Sequence, residues 1–78
     1  MIRGKVVAQF WATKRIESLP KGPLLEVELT SGARIIAFDP LGCGNGESVL
    51  ITTGSVAASW FGEKSVGIDA VIIGSLDE

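Results

Sequence analysis

The chain opens on an alternation. Over residues 2–13, Ile2, Gly4, Val6, Ala8, Phe10 and Ala12 form one register, uniformly apolar or small, while Arg3, Lys5, Val7, Gln9, Trp11 and Thr13 form a mixed second register. A period of two with one apolar side predicts a half-buried strand. Residues 14–23 break the pattern with Lys14, Arg15, Glu17 and Lys21 and then with Pro20, Gly22 and Pro23, which predicts a loop. Alternation resumes over residues 24–30, where Leu25, Val27 and Leu29 face away from Glu26, Glu28 and Thr30. Ser31-Gly32 predicts a two-residue hairpin turn into a third strand, residues 33–38, centred on Ile35 and Ile36. Asp39-Pro40 ends that strand, because proline has no N–H to give to a ladder. After the glycine-rich segment 42–46 comes a fourth strand, residues 47–53, with Val49 and Ile51 opposite Ser48, Leu50 and Thr52. Ser55 reads as the N-cap of a short helical turn over 56–60, and 61–66 as a turn-bearing loop. In the last strand, residues 67–76, Ile68, Ala70, Ile72, Gly74 and Leu76 share one register. Val71 and Ile73 lie in the other, so its second face is expected to be partly covered too.

Five strands and no helix long enough for a parallel crossover predict an antiparallel sheet. A sheet of this size protects its edges best by closing into a barrel. The expected fold is therefore all-β, a small five-stranded antiparallel OB-like barrel with one short helix, forming a single domain over residues 1–78. Gly4 and Gly74 fall mid-strand, where a barrel needs tight coiling or a close backbone approach.

Composition changes this picture in one respect. The chain has 78 residues, 46% of them hydrophobic and 21% charged, and a mean hydropathy of +0.39. A chain this short buries only about 60% of its extended surface on folding. So much apolar content on so small a core points to a subunit interface. Histidine is absent, which removes Ser-His and Cys-His nucleophile pairs and every His-containing metal site. Cys43 is the only cysteine, so no internal disulfide forms. The net charge is −2, whereas nucleic-acid binders draw most of their affinity from phosphate neutralisation. The first residues lack an uninterrupted apolar run, and no stretch approaches the roughly 20 residues that span a bilayer. A cytosolic chain beginning at Met1 is expected, with no membrane contact.

Gly42, Cys43, Gly44, Asn45 and Gly46 are the most unusual segment. A phosphate cradle would need a helix N-terminus after it. Here Glu47 and a strand follow, so the segment is neither a P-loop nor a dinucleotide fingerprint. Two readings stay open: a flexible connection whose glycines permit positive φ, or a loop whose copies crowd around a symmetry axis where side chains would collide. Cys43 has no His and two acidic neighbours, Asp39 and Glu47, so nothing activates its thiolate and an ordinary loop side chain is expected. Glu26 and Glu28 read as a solvated strand face. Lys14, Arg15 and Lys21 form a small basic loop, and Trp11 and Trp60 are candidate stacking platforms. Together they define an alternative, an OB-fold module for single-stranded nucleic acid. No catalytic residue, cofactor or metal ligand is expected.

Met1-Ile2-Arg3-Gly4-Lys5-Val6-Val7, Trp11-Ala12-Thr13-Lys14 and Glu17-Ser18-Leu19 resemble the opening of the pentameric vertex proteins of bacterial microcompartments, the EutN/CcmL family. The resemblance continues through the run from Asp39-Pro40 to Val49-Leu50, then Gly54-Ser55-Val56-Ala57, and ends on Ile68-Asp69-Ala70-Val71-Ile72-Ile73-Gly74. These blocks span nearly the whole chain in family order. Three departures stand out: Cys43 where the family commonly has Ala, Ala58 where Arg is common, and different residues in the loop 14–23. The resemblance implies an OB-like barrel assembling as a homopentamer that caps the vertices of a polyhedral microcompartment shell in the cytoplasm. Its partners would be copies of itself and hexameric shell proteins, with no nucleic acid. It further implies a pore-lining or axis-proximal role for Gly42, Cys43, Gly44, Asn45 and Gly46. Exposed loops would touch neighbouring shell proteins, with Lys14, Arg15 and Glu17 as candidates.

Overall fold

The computed structural model describes residues 1–17, 19, 21–60 and 68–77, and the side chains of all of these except 58–60. Five strands, β1 (Ile2–Phe10), β2 (Leu24–Leu29), β3 (Arg34–Phe38), β4 (Ser48–Thr53) and β5 (Ala70–Leu76), close into a barrel in the order β1-β2-β3-β5-β4. One helix, α1 (Gly54–Trp60), stands between β4 and β5. The expected turn at 61–66, Pro20, and the side chains of Ala58 and Trp60 lie outside the described residues. Among those residues no helix is long and apolar enough to cross a membrane.

The inward register supplies the core. Val6, Leu25, Val27, Val49, Ile51 and Ile72 are fully buried and pack together with Ala37, Cys43 and Ala70. Each large aliphatic side chain so buried contributes about 1.5–3 kcal/mol of transfer free energy. Gly4 faces this interior opposite Leu29 and Val49. A Cβ there would overlap Cγ1 of Val27 and lie 2.9 Å from the Glu28 carbonyl oxygen, so only glycine lets the strands approach this closely. Gly74 differs from expectation. A Cβ there would meet nothing nearer than Leu50 at 3.8 Å, an ordinary contact.

Two bulges alter the alternation read from the sequence. Between Val6 and Ala8 the β1–β2 register shifts by one residue: Val6 pairs with Val27, yet Ala8 pairs with Glu26 and Phe10 with Leu24. Paired residues project to the same face of a sheet, and a one-residue slip sends all later side chains to the other face. Phe10 therefore leaves the inward register and is 46% exposed. The strand also ends there rather than at residue 13. A second shift between Leu50 and Ile51 leaves Ile73 unpaired against β4 and 43% exposed, while Val71 is buried.

The ladder is antiparallel everywhere except at one seam. β3 and β5 run parallel and meet at the single pair Phe38 and Val71. The chain reaches this arrangement because β4 and α1 intervene between the two strands, and α1 then covers the seam. Ala57 packs with Phe38, Ile68 and Val71 in a second cluster outside the barrel, flanked by Leu19 and Leu24. The helix begins at Gly54, so Ser55 lies inside its first turn and not at the cap. Gly54 takes φ +69° and donates its N–H to the Asp69 carbonyl at 2.8 Å. The β2–β3 turn also differs: Gly32 N–H donates to Leu29 O at 2.9 Å and Leu29 N–H to Ala33 O at 2.8 Å. With Gly32 at φ +90°, this is a three-residue loop, Thr30-Ser31-Gly32, ending in a left-handed glycine.

Candidate functional site

The glycine-rich loop is organised by a residue that precedes it. Asp39 leaves β3 with its N–H donating to Pro23 O at 3.1 Å, and its side chain is 2% exposed. Oδ1 accepts the N–H of Leu41 at 3.0 Å, and Oδ2 accepts those of Gly42 at 3.1 Å and Cys43 at 2.6 Å. An unpartnered buried carboxylate would cost several kcal/mol. Three converging backbone donors offset that cost, and they fold the chain tightly over the carboxylate. Gly42 (φ +87°) and Gly46 (φ +88°) occupy the left-handed region at the two ends of the segment, whereas Gly44 does not. Gly46 N–H donates to Val6 O at 2.8 Å, Val6 N–H to Glu47 O at 3.0 Å, and Glu47 N–H to Gly44 O at 3.2 Å. The segment is thus anchored at both ends, to Asp39 and to β1, and is no slack connection.

Cys43 turns inward. Its side chain is 6% exposed and joins the barrel core beside Val6, Leu25 and Ala37. Burial, a hydrogen bond with Glu47 and the negative charges of Asp39 and Glu47 push the thiol from its ordinary 9.0 up to about 12. The group stays protonated at neutral pH and is no nucleophile. With Cys43 inside, Gly42, Gly44, Asn45 and Gly46 form an exposed rim. No added Cβ on Gly42, Gly44 or Gly46 would meet another atom within 4 Å of this chain. Among the described residues no cluster of His, Cys, Asp or Glu is placed to hold a metal ion.

Lys14, Arg15 and Glu17 are all exposed on the β1–β2 loop, gathered with Thr13 and Lys21 around one shallow hollow. Arg15 donates through a guanidinium nitrogen to the Leu19 carbonyl at 2.9 Å, which fixes the loop's curl. Trp11 is exposed and stands apart from the barrel core. Glu26 and Glu28 are paired rather than merely solvated: Arg34 reaches Glu26 at 3.5 Å and Glu28 at 3.3 Å across the outer face of β2 and β3. Sequence reasoning missed Asp39 as the loop's organiser. The signal was present in an Asp three residues before the first of several glycines, close enough for a carboxylate to cap its own following amides.

Comparison with known proteins agrees along the chain's length. A bacterial microcompartment shell vertex protein, GrpN of Rhodospirillum rubrum, is 34% identical over an 83-residue alignment covering 99% of this chain and 93% of the relative. A carboxysome shell vertex protein, CsoS4A of Halothiobacillus neapolitanus, is 40% identical over 68 residues, covering 86% of this chain and 82% of the relative. Among solved structures, the pentameric shell protein MSM0273 from the RMM microcompartment superposes with a TM-score of 0.89 at 55% identity, covering 99% of this chain and 91% of that one. The family described as ethanolamine utilisation protein EutN/carboxysome matches residues 1–77. A barrel of this topology, matched almost from end to end in both sequence and structure, belongs to the EutN/CcmL family.

Proposed function

We propose that this chain is a structural subunit of a bacterial microcompartment shell, one self-contained unit over residues 1–78. Five copies close into a ring that caps a vertex of the polyhedron. The observation that carries the reading is the 55% identity and 0.89 TM-score to a pentameric shell protein over 99% of the chain. Its relatives are vertex proteins of the shell and not enzymes. Chemistry on this chain agrees: the single thiol is buried and protonated. Flat hexagonal layers cannot close by themselves, and a fivefold unit supplies the curvature.

Within that function the glycine rim is the part nearest the fivefold axis. Gly42, Gly44, Asn45 and Gly46 would line the central opening, and Cys43 and Asp39 would hold the rim in shape from inside. Small residues suit a place where five copies of one loop converge. Lys14, Arg15 and Glu17 would meet hexameric shell proteins at the outer edge, where an exposed loop of mixed charge fits carboxylate- and ammonium-bearing neighbours. The assembled shell would lie in the cytoplasm, and the ring would bind no nucleic acid.

Native mass spectrometry of the purified chain tests the assembly. The expected species has five times the 8.2 kDa of one chain, and a stable monomer at micromolar concentration would overturn the reading. Fluorescence anisotropy with a labelled oligonucleotide at low salt tests the alternative, since a single-strand binder must show salt-dependent affinity. Replacing Gly44 by Leu tests the axis placement. It should weaken the ring while leaving the barrel's unfolding unchanged, because within one chain a Cβ at Gly44 meets nothing within 4 Å.

A further inference from the structure

Asn45 is the only asparagine of the chain, and a glycine follows it. The backbone nitrogen of a following residue can attack the side-chain carbonyl carbon Cγ of an asparagine, and glycine offers that nitrogen with no side chain in the way. A new C–N bond closes a five-membered succinimide and the Cγ–Nδ2 bond breaks. Ammonia leaves, taking the proton of the attacking nitrogen. Water then adds to one of the two ring carbonyls and opens the ring, to aspartate or to isoaspartate. Water is the only co-reactant, and nothing is oxidised or reduced.

The folded loop restrains this reaction twice. Gly46 N–H donates to the Val6 carbonyl at 2.8 Å, so the attacking nitrogen is committed to β1. Glu47 N–H donates to Gly44 O at 3.2 Å, which makes residues 44–47 a β-turn. Asn45 has a negative φ and Gly46 a φ of +88°, the combination that defines type II. The first central residue of such a turn takes ψ of about +120°, which leaves the next nitrogen roughly a third of a turn from Cβ. Ring closure needs the two eclipsed. Neither restraint shields the side chain from water, since Asn45 is exposed. The site is chemically open and conformationally shut.

We propose that Asn45-Gly46 is a spontaneous modification site whose rate is set by opening of this loop, and that deamidation there writes a carboxylate onto the glycine rim. The product adds one negative charge to a chain of net charge −2. Isoaspartate also lengthens the main chain by one atom within a segment held at both ends, by Asp39 and by β1. On the axis placement above, five copies gather these charges around one opening; the chemistry at Asn45 does not depend on that placement.

The test holds the full chain at mildly alkaline pH, native and in urea, and follows Asn45 by peptide mapping with mass spectrometry. The native chain should lose Asn45 at least tenfold more slowly than the unfolded one, and a smaller ratio overturns the proposal. Asp39→Ala frees the front of the loop. If it keeps the circular dichroism of the barrel, it should lose Asn45 at least threefold faster than the wild type, and an unchanged rate overturns the loop's role. If Asp39→Ala does not fold, amide exchange of the wild type decides instead. Gly46 N–H should exchange at least tenfold more slowly than in the unfolded chain, and exchange at the unfolded rate overturns the proposal. Asn45→Asp carries the charge from the start and tests the axis separately. Its ring should dissociate at a severalfold higher concentration than the wild type in low salt, with the gap closing in high salt. An identical midpoint overturns the axis placement and leaves the modification site standing.

Discussion

The carboxylate of Asp39 accepts the backbone N–H of Cys43 at 2.6 Å, and both residues are buried. This bond ties the end of β3 to the one side chain of the glycine-rich loop that enters the core. Replacing Asp39 by Ala leaves the N–H groups of Leu41, Gly42 and Cys43 without their acceptor. We expect a loss of about 3 kcal/mol in urea unfolding, from one buried and two part-buried donors left without their acceptor. Asp39→Asn, which keeps one carbonyl oxygen, should lose less. A loss under about 0.5 kcal/mol for Asp39→Ala would show that water replaces the carboxylate freely.

Cys43 makes stability depend on alkaline pH. Its thiol rises from 9.0 to about 12 on folding, so the folded chain holds this proton more tightly than the unfolded one. The contribution is complete below pH 9 and is lost as pH rises from 9 toward 12. Urea midpoints measured across that window should fall for the wild type and fall less for Cys43→Ala. At pH 8 a thiol reagent should label the native chain far more slowly than the unfolded one.

The two mid-strand glycines should respond oppositely to alanine. At Gly4 the new methyl group overlaps Val27 and crowds the Glu28 carbonyl, so Gly4→Ala should cost about 1–3 kcal/mol. At Gly74 the nearest atom is 3.8 Å away, and Gly74→Ala should be neutral or stabilise the monomer by up to about 1 kcal/mol. Thermal unfolding of both variants checks the contrast.

Arg34 holds two carboxylates, yet its side chain is 53% exposed. Arg34→Ala should therefore cost under about 1 kcal/mol, and the difference should shrink in high salt. A larger, salt-independent loss would mean that the aliphatic stem of Arg34 carries the effect through packing.

Strand β2 could be read directly from the sequence, because Leu25 and Val27 alternate with Glu26 and Glu28, and β4 from Val49 and Ile51, since the extra residue of its irregular pairing lies on β5. Phe10 could not. Its position in the register depends on one extra residue near Val7, and nothing in the local alternation marks that insertion. The parallel seam was equally hidden, since the pairing of Phe38 with Val71 is decided by how β4 and α1 route the chain across the barrel. For the loop, the glycines announced themselves by composition, and Gly42 and Gly46 do take left-handed φ. The inward turn of Cys43 follows from the Asp39 hydrogen bonds, a through-space relationship that residue types alone do not declare.

The bulge at Val7 lets a single strand serve two structures at once. Its first half furnishes the interior of its own barrel, and its second half delivers an aromatic ring to the outside world. Deleting that one residue would realign the strand, draw Phe10 toward the interior and turn Gln9 outward. One unpaired residue in the ladder is enough to turn the aromatic ring from the core to the surface.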